Sequence, residues 1–185
     1  MKFLDVAVSG AKLVELEPYL DERGSFSRLH CEREFGQAGI GASMVQTNLS
    51  VTLGFGVLRG LHFQIAPSKE SKLVRCMCGS VFDVIVDLRP QSPTYLQHCS
   101  VELTEQSKSA LFVPAGCAHG FQTLSDRVEV LYQMTDFYSA SLSRGVRWDD
   151  PLFAIQWPFE PTSMNERDRY YSDFDPALVQ GFGTY

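Results

Sequence analysis

The sequence predicts an all-β fold, a sandwich or barrel, because short β-type segments bounded by Gly, Pro or Ser recur along it and helical signals are sparse. Its 185 residues, 44% hydrophobic and 21% charged, suffice for one packed core and lie within the ordinary globular range. A single domain over residues 1–185 is expected, with no internal repeat or low-complexity segment to divide it.

In chain order, the run Glu32-Arg-Glu-Phe-Gly predicts a short helix, and β-type segments follow at 45–53, 58–64, 73–78, 81–88, 98–103, 110–113 and 127–137. A second helical turn is expected at Asn165-Glu-Arg-Asp-Arg, where an Asn precedes charged residues suited to a first turn. The aromatic stretch Tyr170-Tyr171-Ser-Asp-Phe174 is expected to seal the barrel or dock on a partner subunit. Residues from Val179 onward are expected to be loose.

Alternation along each strand aims the side chains. Gln46, Asn48 and Ser50 share one face, and Val45, Thr47, Leu49 and Val51 the other, with either face able to turn inward in a closed sheet. Val128, Val130, Tyr132 and Met134 form a mainly apolar face, which sends Tyr132 inward; from this strand alone, a core Tyr bonded to a backbone carbonyl is the favoured reading. In Leu58-Arg59-Gly60-Leu61-His62-Phe63-Gln64, strict alternation separates Arg59 from His62, and a bulge at Gly60 would relax that separation.

Charge and composition exclude several classes. A net charge of −6 without any Lys/Arg run argues against nucleic-acid binding, although Arg23, Arg28, Arg59 and Lys72 are enough to focus on a small anion such as a diphosphate. No apolar stretch approaches a membrane span and no signal segment opens the chain, so a cytoplasmic protein is expected. Cys31, Cys76, Cys78, Cys99 and Cys117 show neither disulfide nor zinc-knuckle spacing and read as reduced thiols.

His62, Lys72 and Tyr132 are the side chains that carry chemistry. A His moves protons near neutral pH, a Tyr opposite a base can return one, and a Lys can meet charge developing on oxygen. Together they point to removal of a proton beside a carbonyl.

The order of motifs identifies the chain as resembling the dTDP-4-dehydrorhamnose 3,5-epimerases, a cupin-like family. They run from Asp21-Glu-Arg23-Gly24-Ser-Phe26 through Gln46-Thr-Asn48-Leu-Ser50, Leu58-Arg59-Gly60-Leu61-His62-Phe-Gln64 and Lys72-Leu-Val-Arg75 to Val113-Pro114-Ala-Gly116-Cys-Ala-His119-Gly120-Phe121. Gly145-Val-Arg-Trp148-Asp-Asp150-Pro151 and Ile155-Gln-Trp157-Pro158 follow. The resemblance implies a cupin-type jelly-roll barrel acting on a nucleotide-linked 4-keto-6-deoxy sugar without metal or cofactor. It also implies a homodimer in which an N-terminal segment of one subunit completes the other's site.

Carried over position by position, His62 matches the base, Asp168 the acid that orients it, Tyr132 the proton donor and Lys72 the cation near the keto oxygen. His119 lines the sugar pocket, and Gln46 and Asn48 match polar contacts around the ligand. Arg23 and Arg59 match contacts to diphosphate or nucleotide, Tyr138 matches the ring stacked on the base, and Phe26, Arg28 and Arg167 complete the substrate set. Three positions depart from the family pattern: Arg28 stands where a Glu commonly contacts thymine, Ser143 replaces an acid, and Asn165-Glu166-Arg167-Asp168 replaces Ser-x-Lys-Asp.

Three rival readings follow from the same residues. A metal-dependent cupin would want two His two residues apart, where this chain has His62 and Gln64. A non-catalytic nucleotide-sugar-binding cupin would be expected to have lost one of His62, Lys72, Tyr132 or Asp168. An epimerase acting at C3 or C5 alone, or on a CDP-linked sugar, is motivated by Arg28. Asp83 and Asp87 are read either as helping to position Lys72 or as structural, and Trp148 and Trp157 as packing residues.

Overall fold

The structure, a computed structural model, describes residues 1–41 and 43–182. Its elements are β1 (Lys2–Asp5), β2 (Lys12–Glu15), β3 (Tyr19–Asp21), β4 (Gly24–Phe26), α1 (Glu32–Gln37), β5 (Gln46–Leu53), β6 (Leu58–Gln64), β7 (Lys72–Cys78), β8 (Ser80–Asp87), β9 (His98–Thr104), β10 (Ala110–Val113), β11 (Cys117–Thr123), β12 (Arg127–Met134), β13 (Ser143–Gly145) and α2 (Glu166–Arg169), with a closing 3-10 turn at Pro176–Val179. A six-stranded sheet in the order β1-β2-β10-β7-β12-β5 faces a five-stranded sheet in the order β13-β6-β11-β8-β9. All of these strand pairs are antiparallel, which is the cupin-type jelly-roll architecture.

The inner strands β7, β8 and β10 are buried along most of their length because both of their faces are covered. Val74, Cys76 and Val130 from one sheet meet Val81, Ile85, Leu103 and Phe121 from the other in the barrel interior. Outside the five-stranded sheet, Leu61, Phe63, Val84 and Val86 are capped by Phe153, Phe174, Val179 and Phe182 of the C-terminal segment. Outside the six-stranded sheet, Val14, Leu73 and Phe112 are capped by Phe35 of α1 and Ile40.

Most predicted segments appear as strands with bounds shifted by a residue or two. The segment at 127–137 stops at Met134. There Asp136 turns out of the ladder to accept from the Ser68 hydroxyl at 2.8 Å and the Lys69 amide at 3.3 Å. The C-terminal segment corrects an expectation: Val179 and Phe182 are buried, Phe182 lying edge-on to Phe63 at 6.2 Å, because the outer face of β6 needs a cover. Residues 183–185 lie outside the described residues. Trp157 packs as anticipated, its indole N–H donating to the Trp148 carbonyl at 2.9 Å and its ring edge-on to Phe82. No helix among the described residues is long and apolar enough to cross a membrane.

Candidate active site

A cavity of about 470 Å³ opens between the two sheets, a size suited to a small-molecule ligand. From the six-stranded sheet, β5 contributes Gln46, Asn48 and Ser50, β7 contributes Lys72, and β12 contributes Tyr132. From the five-stranded sheet, β6 contributes Arg59 and His62, and β11 contributes His119. Tyr138, Arg167 and Asp168 line it as well. Of the two faces that alternation leaves open in β5, the polar one points inward, while Leu49, Val51 and Leu53 are exposed.

A bulge makes β6 productive. His119 pairs with His62 and Phe121 with Arg59, so β6 spends one more residue than β11 between the two pairings. The extra residue restores Arg59 and His62 to the same wall, which strict alternation forbids. Gly60 sits there at φ 139°, and a Cβ on it would stand 2.5 Å from the Gly120 Cα, so the two glycines permit the close approach of β6 and β11.

His62 Nε2 lies 2.7 Å from Asp168 Oδ1, and the other carboxylate oxygen accepts from the Gly60 amide at 3.1 Å. Asp168 is held in turn by its own backbone: its N–H donates to the Asn165 side chain at 2.7 Å, the N-cap of α2. Burial alone would push the Asp168 carboxyl up, but the His62 hydrogen bond and charge, the Gly60 amide and nearby Arg167 pull it below the usual carboxylate range. It is therefore an anion at neutral pH, able to stabilise positive charge on the imidazole.

Lys72 donates to the His62 backbone carbonyl at 3.3 Å and pairs with Glu70 at 3.1 Å. Neither Asp83 nor Asp87 takes the role of positioning it. Asp83 instead meets His119 Nε2 at 3.0 Å, and Asp87 accepts from Arg89, Ser92 and Thr94 in a loop network. Tyr132 points inward as alternation requires. Its hydroxyl has no hydrogen-bond partner among the described residues, which corrects the reading of a core Tyr tied to a carbonyl and leaves the O–H free for a ligand. Burial first, then the Glu70 charge, raise its phenol above the ordinary value, with Arg59 opposing, so it stays protonated and able to donate.

Three sequence-predicted substrate contacts lie elsewhere in the single chain. Arg23, 84% exposed and paired with Asp21, and Phe26, 69% exposed, project from the β3–β4 hairpin. Arg28 pairs with Glu34 at 2.9 Å. Tyr138 stands exposed at the cavity edge, its amide donating to Gln46 at 3.2 Å.

Sequence reading missed Glu70 and Tyr171. Tyr171 lies edge-on to His62 at 6.1 Å under the Arg167 guanidinium, and a Cβ at Gly145 would overlap its ring. Its only signal was membership of an aromatic-rich tail; Glu70 had none beyond its closeness to Lys72 in the chain. Burial holds the thiols of Cys76 and Cys99 up at about 11, which suits packing rather than nucleophilic roles. No three His, Cys, Asp or Glu side chains converge as a metal cluster among the described residues.

The model of the dTDP-4-dehydrorhamnose 3,5-epimerase family matches residues 5–175. The dTDP-4-dehydrorhamnose 3,5-epimerase of Salmonella typhimurium is 41% identical over 181 residues, covering 97% of this chain and 98% of its own length. The crystal structure of dTDP-6-deoxy-D-glucose-3,5-epimerase from Legionella pneumophila in complex with dTDP-4-keto-L-rhamnose superposes with a TM-score of 0.91 at 33% identity, covering 99% of both chains. A 3'-monoepimerase from Streptomyces bikiniensis in complex with dTDP-quinovose superposes with a TM-score of 0.82 at 28% identity, covering 91% of this chain and 85% of that one. With this family match extending over most of the barrel, the chain belongs to the dTDP-4-dehydrorhamnose 3,5-epimerase family.

Proposed function

We propose that the protein inverts C3 and C5 of dTDP-4-dehydro-6-deoxyglucose, giving dTDP-4-dehydro-L-rhamnose. The observation that carries this reading is the placement of His62 and Tyr132 on different sheets, so that they face the cavity from opposite walls. Inversion needs a proton taken from one face of the sugar and returned to the other, by two different groups.

In this reading the C4 ketone lies toward Lys72. His62 takes the C–H proton at the adjacent carbon, the bonding pair moves to make the C4 enolate, and the Lys72 ammonium meets the charge on oxygen. Asp168 stabilises the positive charge on the ring. As the carbonyl re-forms, Tyr132 gives its phenolic proton to the opposite face. His62 then releases its proton to solvent and Tyr132 regains one, which resets the site. Arg59 and Arg167 supply cationic contacts for the diphosphate, Gln46, Asn48 and His119 surround the ligand, and Tyr138 offers a ring to the base.

The working unit in this reading is a homodimer. The exposed β3–β4 hairpin, carrying Arg23 and Phe26 and followed by Arg28, has little to do within its own subunit and would reach the partner's cavity. The five unpaired cysteines accord with the cytoplasm as its compartment. A second reading, inversion at one carbon or a CDP-linked substrate, draws on Arg28, a fixed cation where the family commonly has an acceptor for thymine. Offering the purified protein the dTDP and CDP forms of the 4-keto-6-deoxy sugar tests the choice: turnover of the dTDP sugar to the doubly inverted product supports the first reading, and turnover of the CDP sugar alone replaces it.

A further inference from the structure

Besides Asp168, the described cavity lining holds one other carboxylate, Glu70, and the chemistry outlined above does not use it. Its side chain is 4% exposed, and Lys72 is its ionic partner at 3.1 Å. A carboxylate offers about four acceptor positions, and a buried one is costly unless they are filled. No other described residue donates a hydrogen bond to the Glu70 carboxylate. Its charge also opposes the needs of a cavity that would take a diphosphate and develop an enolate. An acid serving only to hold Lys72 could do so from behind; this one lines the space where the sugar would lie.

Glu70 and Lys72 place an acceptor and a donor side by side. The complementary ligand has an acceptor and a donor on adjacent carbons, as in a ketone flanked by a free hydroxyl. We propose that Glu70 is a specificity residue that accepts a hydrogen bond from the C3 hydroxyl of the sugar while Lys72 donates to the neighbouring C4 keto oxygen. This assignment rests on the epimerase reading and names the substrate feature that the site selects: a 3-hydroxy-4-keto sugar over its 3-deoxy counterpart. A site built to bond a hydroxyl discriminates against the analogue that lacks it, since the buried acceptor is then left unpaired.

The test measures deuterium incorporation at C5, a carbon common to both sugars, for dTDP-4-keto-6-deoxyglucose and dTDP-4-keto-3,6-dideoxyglucose. Wild type, Glu70→Met and Glu70→Gln are compared, with the affinity for dTDP alone as a control of folding and nucleotide binding. Wild type is expected to favour the 3-hydroxy sugar by about tenfold or more in kcat/KM. In Glu70→Met that ratio falls close to one with dTDP affinity unchanged, and in Glu70→Gln, which keeps the shape and carries the test if the Met variant does not fold, it falls several-fold. An unchanged ratio in the folded variants, with both sugars slowed equally, would mean that Glu70 acts only on Lys72 and would overturn the assignment. A wild-type ratio near one would overturn it too, leaving the epimerase reading standing. Absence of exchange from wild type with either sugar would remove the epimerase reading and this inference with it.

Discussion

The Asp168 carboxylate bridges His62 Nε2 at 2.7 Å and the Gly60 amide at 3.1 Å, so one side chain fixes both the proposed base and the strand bulge that aims it. Asn165 holds Asp168 from the other side through the cap of α2. Asp168→Asn keeps the shape but loses the charge that stabilises a protonated ring and allows the wrong tautomer. A fall in kcat of a hundredfold or more is expected, with dTDP affinity nearly unchanged; steady-state kinetics beside dTDP titration checks both.

His62 and Tyr132 are expected to separate when each is removed. In His62→Ala, C–H exchange and product formation fall together, by about a hundred- to ten-thousandfold. In Tyr132→Phe the base remains, so product formation falls within that range while exchange at the substrate carbons is lost less. Comparing deuterium incorporation with product yield distinguishes the two.

Gly60→Ala places a methyl group against the Gly120 Cα and demands φ 139° of an L residue. A loss of about 3 kcal/mol or more is expected from the overlap and the backbone conformation, read by chemical denaturation. Activity falls further than stability, because the bulge that turns Arg59 and His62 to one wall is displaced.

Stability should decline on the acid side for a specific reason. Burial would raise the Asp87 carboxyl, but hydrogen bonds from Arg89, Ser92 and Thr94 more than offset it and leave it lowered; Asp168 is lowered as well. A carboxylate lowered in the folded state adds stability that is present above its unfolded value, about pH 4, and is lost as pH falls through its folded value. Asp87→Asn is therefore expected to cost roughly 3 kcal/mol at pH 7, and the gap from wild type should narrow below about pH 4 in thermal melts taken across the range.

The exposed hairpin leads to a prediction about pairs of subunits. Arg23→Ala and His62→Ala chains, each inactive alone, should regain activity when unfolded and refolded together, because a mixed dimer holds one site with both residues native. Equal inactivity of the mixture and the single variants would count against the shared site.

Strand alternation was enough to send Tyr132 inward and to group Gln46, Asn48 and Ser50 on one face, because these residues lie in regular ladders, but which face of β5 lines the cavity is decided by the pairing of β5 with β12 at the sheet edge. Alternation could only leave room for a bulge at Gly60, since the pairing that produces it depends on β11. That strand, Cys117–Thr123, was itself hard to read: Ala, His and Gly are weak strand formers, and its place between β6 and β8 is a tertiary effect. Motif order identified His62, Lys72, Tyr132 and Asp168 as one site, and the structure gathers all four around one cavity. Glu70 was illegible because nothing local marks a carboxylate as buried. The tail from Val179 looked loose because its cover for β6 is decided by residues more than a hundred positions away.

The most direct test of two-sided proton transfer is NMR in deuterated water with the purified wild-type protein and dTDP-4-keto-6-deoxyglucose. Deuterium entering both C3 and C5, with the L-configured sugar as product, is the expected result. Exchange confined to one carbon, or turnover without solvent deuterium at either, would contradict inversion at both centres through His62 and Tyr132.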